Sequence, residues 1–128
     1  MAPQPSPPAP RPPLDFRIEV QDGIARLWYA RPAQDVGESM QILEAVDAKL
    51  FSTGIFRLLI DSRDADRTPP KVQSHIWIWL RDHSQLRMVA TLMHSRELAR
   101  SVRAGGADRG VRIRAFDAED AAIAWLKA

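Results

Sequence analysis

Apolar and polar residues alternate from Phe16 onward, where Phe16, Ile18 and Val20 are separated by Arg17 and Glu19. That period of two predicts a strand with one buried face. Gln21-Asp22-Gly23 supplies turn residues ahead of a second apolar run, Ile24 to Tyr29, so the two runs together predict a hairpin. Arg31-Pro32 interrupts the chain. Over Glu38 to Phe51 the period becomes helical, with Ile42, Leu43, Val46 and Leu50 on one face and Gly54 at the position of a C-terminal glycine. Ile55 to Ile60 is almost continuously apolar and ends at Asp61, which predicts a central strand covered on both faces.

The alternation of helix and strand then repeats. A helical stretch near Pro70 to His83 leads into a strand from Leu86 to Leu92, and a helix near Ser95 to Ala104 leads into a strand from Val111 to Arg114. Asp117 is placed as the N-cap of a closing helix, with Glu119 and Asp120 in its first turn and Ala121, Ala122, Trp125 and Leu126 on one face. The order β-β-α-β-α-β-α-β-α predicts an α/β domain with a mostly parallel five-stranded sheet, an antiparallel edge strand and four helices.

Composition supports one globular domain over residues 14–128, since 45% of the 128 residues are hydrophobic and 27% charged. The first thirteen residues hold seven of the ten prolines and read as an extended tail outside that domain. The absence of cysteine excludes disulfides, thiolate metal sites and a cysteine nucleophile. No apolar run is long enough to span a bilayer and no secretion-signal pattern is present, so the expected location is the cytoplasm.

The opening hairpin, the stretch FRLLIDSRD, the stretch RMVATLMHSRELARSVRAGG and the closing VRIRAFDAEDAAIAWL together resemble the SpoIIAA-like, STAS-related (anti-sigma factor antagonist-like) family over residues 16–127. The closing segment is the most specific. Phe116 matches the aromatic residue after the last strand, Asp117 the acidic helix start, and Ala122, Trp125 and Leu126 the Ala-x-x-Trp-Leu ending. The resemblance implies a non-enzymatic module of bacterial signalling that binds a protein partner. In that family, phosphorylation of a hydroxyl at the start of the helix after the central strand sometimes switches binding. Where those antagonists carry an Asp-Ser-Ser-Gly-like turn, this chain reads Asp61-Ser62-Arg63-Asp64-Ala65-Asp66-Arg67-Thr68-Pro69-Pro70, without the glycine. Thr68 and Ser74 are the candidate phosphate acceptors, although Thr68-Pro69 also reads as a capped helix start.

The segment Ser74 to Leu80, SHIWIWL, carries two of the four tryptophans. At about 100° per residue, Val72, Ile76, Trp79, Leu80 and His83 form a buried stripe, Trp77 stands off it and Ile78 lies further round. Trp77 and Ile78 are therefore the candidate interaction surface, for a protein partner, a homodimer or a small apolar ligand. His75, His83 and His94 form no zinc spacing, and Arg63 and Arg67 interleave with Asp61, Asp64 and Asp66 as in a charge-balanced loop, so neither a metal nor another cofactor is expected. Arg96, Arg100 and Arg103 share a helix surface as a candidate anion-binding patch, but no aromatic residues interleave with them, which speaks against nucleic acid. Gly105, Gly106 and Gly110 follow a predicted helix rather than precede one and read as its cap. No catalytic set emerges. Two functions remain: a regulatory interaction module docking through the Trp77 helix, and a carrier of a small apolar ligand or lipid in a SEC14-like pocket beneath that helix. Removal of residues 1–13 is expected to leave the melting temperature unchanged in a thermal melt, and a large drop would refute the tail assignment.

Overall fold

A computed structural model of the chain describes residues 13–65, 68–94 and 111–128. Strands β1 (Phe16–Gln21), β2 (Ile24–Tyr29), β3 (Arg57–Asp61), β4 (Met88–Leu92) and β5 (Arg112–Phe116) form one sheet in the order β1-β2-β3-β4-β5. The β1–β2 pair is antiparallel and the other three pairs are parallel. Three helices lie among the described residues: α1 (Val36–Thr53), α2 (Pro70–Asp82) and α3 (Glu119–Lys127). The helix expected over Ser95–Ala104 lies outside the described residues, as do residues 1–12 of the expected tail.

The hairpin turn forms as its residues require. Asp22 and Gly23 both adopt positive φ, 54° and 76°, the backbone that lets a two-residue loop follow the twist of its strands. Helix α1 starts earlier than periodicity indicated because Asp35 caps it: its carboxylate accepts from the Glu38 N–H at 2.8 Å. Glu38 in turn accepts from the Gln34 N–H at 2.8 Å and binds the Arg31 guanidinium through both oxygens, which fastens the Arg31-Pro32 bend to the helix start. At the other end Gly54 takes the left-handed conformation and its N–H closes on the Leu50 carbonyl.

Two hydrophobic layers flank the sheet. Ala25, Leu27, Leu58, Ile60 and Val89 face α1 and α2, meeting Ile42, Val46, Leu50, Val72 and Leu80. Ile24, Leu59, Met88, Ala90 and Leu92 face α3, meeting Ala122 and Leu126. Strand β3 thus buries successive residues on opposite faces, as its unbroken apolar pattern requires. It begins at Arg57 rather than Ile55, because the Ile55 carbonyl accepts from the Gln85 side chain and the Phe56 carbonyl accepts from the N–H groups of Arg87 and Met88.

Three local expectations are corrected. The N-cap of α3 is Ala118, without a side-chain bond, and Asp117 is exposed. Ala121 is exposed as well, and Ile123 takes its place beside Ala122, Trp125 and Leu126, since helical spacing puts 119, 122, 123 and 126 on the sheet side. The N-cap of α2 is Pro69, so Thr68 does not cap that helix.

Leu58 is fully buried in β3, whereas Phe51 on α1 is 85% exposed. Leu58→Ala is expected to lower unfolding free energy by about 2–5 kcal/mol and Phe51→Ala to change it by no more than about 0.5 kcal/mol, as read from urea denaturation.

Candidate functional site

The carboxyl ends of β2, β3 and β4 converge on the start of α2, which is where ligands and partners of open parallel sheets gather. Each face of the sheet carries a different arrangement there. On the α3 side, Asp61 is only 4% exposed. Its carboxylate accepts from the Arg63 guanidinium at 3.0 and 2.8 Å and from the Arg63 N–H at 3.2 Å, with the Arg26 guanidinium 3.8 Å away. Arg26 also pairs with Glu119 at the start of α3, and Arg63 lies 3.7 Å from the same carboxylate. Trp28 donates its indole N–H to Asp64 at 2.9 Å while Arg17 stacks on its ring at 4.5 Å. Four elements, β1, β2, β3 and α3, are thereby tied to the segment that follows β3. The sequence suggested a charge-balanced loop at Asp61 to Arg67; the described part is a fixed network, and among the described residues no three His, Asp or Glu side chains come together as a metal-holding group. Asp66 lies outside the described residues.

On the α2 side a cavity of about 40 Å³ opens between the helix and the strand ends, lined by Tyr29, Ile60, Ser62, Ala65, Thr68, Gln73, Ile76, Trp77, Thr91, Met93 and His94. A smaller void of about 20 Å³ between α1 and the sheet shares Tyr29, Ile60, Thr68 and Ile76 with it. Ser62 donates its hydroxyl to the Leu92 carbonyl at 2.9 Å and also bonds the Tyr29 side chain. Burial pushes the Tyr29 pKa up against that bond and the Asp61 charge adds to the rise, so this phenol is neutral across the physiological range.

The sequence-predicted residues separate in space. Trp77 does not stand off the buried stripe as expected: it is half-buried, packs against the core and lines the cavity. Ile78 on the next position is 50% exposed. Thr68 is half-buried in the cavity wall and Ser74 is exposed on α2. His75 bonds Ser39 at 3.1 Å and His83 bonds Asp47 at 2.7 Å, so both histidines join α2 to α1, while His94 follows β4 at the cavity mouth. Arg96, Arg100, Arg103 and the glycines 105, 106 and 110 lie outside the described residues. A pocket beneath this helix was one of the two sequence readings; a small cavity does lie there, with Trp77 in its wall.

Burial alone raises the Asp61 pKa, but the bonds from the Arg63 side chain and backbone and the charges of Arg63 and Arg26 outweigh it and hold the carboxyl below its ordinary value. A depressed folded-state pKa contributes stability that is complete above the unfolded value, about 3.9, and is lost as pH falls through the folded value. Asp61→Asn is therefore expected to cost about 1.5–3 kcal/mol at pH 7, with the gap to the natural chain closing below about pH 4. Urea denaturation at pH 7 and pH 3 measures this, and an equal gap at both would show that the charge is not what holds the loop.

The sequence matches no described protein family and no curated protein. Solved structures do match. An uncharacterized protein of the DUF3478 family from Shewanella loihica PV-4, described as having a SpoIIAA-like fold, superposes with a TM-score of 0.64 at 13% identity, over 88% of this chain and 93% of that one. An anti-sigma factor antagonist from Mycobacterium paratuberculosis superposes with a TM-score of 0.62 at 11% identity, over 91% of this chain and 96% of that one. At these identities the likeness speaks for the fold, and it agrees with the five-stranded mixed sheet and its flanking helices. The chain is a domain of the STAS, or SpoIIAA-like, fold.

Proposed function

We propose that the chain is a non-enzymatic, cytoplasmic regulatory module that binds a protein partner through the outer surface of α2. The observation that carries this reading is the position of Ile78, half exposed in an open groove whose other walls are Asp47 of α1 and His75, Trp79, Asp82, His83 and Ser84. An apolar side chain set beside a tryptophan and ringed by polar groups has the anatomy of a small interaction surface. The His75–Ser39 and His83–Asp47 bonds hold the two helices in register, so the groove is preformed and docking there orders little. The fold shared with an anti-sigma factor antagonist supports the same reading. Among the described residues no helix is long and apolar enough to cross a membrane.

A phosphate on Ser74 fits this module better than one on Thr68. Ser74 is exposed on the first turns of α2, one residue from His75, whereas Thr68 is half-buried and shared by both voids. The alternative function, carriage of an acyl chain, is narrowed by volume: about 40 Å³ holds a few waters or the end of a small molecule, not a lipid tail.

A photo-crosslinking residue at position 78 tests the module, with the same residue at Asp120 on the opposite side of the sheet as control. The expected outcome is a protein adduct at 78 and none at 120, and a purified partner, or a second copy of the chain, whose affinity falls at least tenfold with Ile78→Arg while the melting temperature holds. No adduct at 78, or undiminished binding by Ile78→Arg, would overturn the reading.

A further inference from the structure

Among the described residues three polar side chains lie in the core: Ser39, Asp61 and Thr91. Ser39 shares a hydrogen bond with His75 and Asp61 is held by Arg63. Thr91 is 1% exposed and its Oγ1 has no hydrogen-bond partner among the described residues. Buried hydroxyls are almost always satisfied, and one left unmet is unfavourable until something reaches it. Thr91 lines the cavity beneath α2, next to Ile60 in the β3–β4 register and at the carboxyl end of the parallel strands. Exposure rises outward along the same wall, from Thr91 through the half-buried Trp77 and Met93 to the exposed His94.

We propose that this cavity binds a small neutral molecule with an apolar body and one hydroxyl-like or amide-like tip. The tip meets Thr91 Oγ1 inside, and the body rests at the mouth against Trp77 and Met93. Size sets the orientation, because about 40 Å³ accepts the polar end of such a molecule and leaves the rest outside it. Charge sets the class: the described lining residues include no Asp, Glu, Lys or Arg to pair with an ionised group. The site lies on the sheet side of α2, under Trp77, and does not depend on what docks against Ile78 on the outer side.

Phenol is a suitable probe, followed at the Trp77 indole N–H by NMR and assigned by the loss of that signal in Trp77→Phe. Natural protein is expected to show a saturable shift, Thr91→Val to bind phenol at least fivefold more weakly, and Thr91→Ser, which keeps the hydroxyl, to bind like the natural chain. Thr91→Val without ligand is expected to melt no lower than the natural protein, since it removes the unmet hydroxyl, which separates lost binding from lost fold. Benzoate, the same ring with a charge, is expected not to bind. No saturable shift at Trp77, equal phenol affinity in Thr91→Val, or benzoate binding as tight as phenol would each overturn the proposal.

Discussion

A parallel strand covered by helices on both faces has no side on which to place a polar group, and β3 from Leu58 and β4 from Met88 live under that constraint. Leu58, Leu59 and Ile60 of β3 and Met88, Val89, Ala90 and Leu92 of β4 satisfy it with apolar side chains. The constraint is broken only at the carboxyl ends, where Asp61 pairs in register with Leu92 and Thr91 with Ile60. These two side chains point to opposite faces, so each polar residue must be answered separately. Asp61 is answered by arginines from β2 and the following loop. Thr91 is not answered by any described residue.

The Asp61 network occupies the corner after β3, where the family resemblance implies a glycine-containing turn. A glycine-containing turn would leave that corner free to present a hydroxyl. Here Arg63 folds back on Asp61, Trp28 holds Asp64, and the Ser62 hydroxyl is committed to the Leu92 carbonyl. The corner is occupied by its own neighbours, which is why the surface reading shifts to the groove between α1 and α2.

Periodicity made most of the fold legible because it reports burial directly. The hairpin at Asp22-Gly23, the α1 face of Ile42, Leu43, Val46 and Leu50, and the buried β3 all stand where the pattern put them. Helix starts were less legible, because a cap depends on where the chain bends: Asp35 caps α1, while Thr68 and Asp117, equally suitable by type, cap nothing. Trp77 was misread for a related reason. Beside the stripe of Val72, Ile76 and Leu80, Gln73 and Trp77 line the cavity at the strand ends, a hollow that helical periodicity does not report.

The candidate site was barely legible, since its meaning rests on partners distant in sequence. Nothing local marks Arg26 as the partner of Glu119, or Ser39 as the partner of His75. An unmet hydroxyl is harder still to foresee, because it is defined by what fails to reach it. Thr91 reads in sequence as an ordinary β-branched strand residue, and valine there would fill the same space without asking for a partner. That a threonine occupies a position where the packing is already satisfied by shape places the reason for its hydroxyl in the cavity beneath α2.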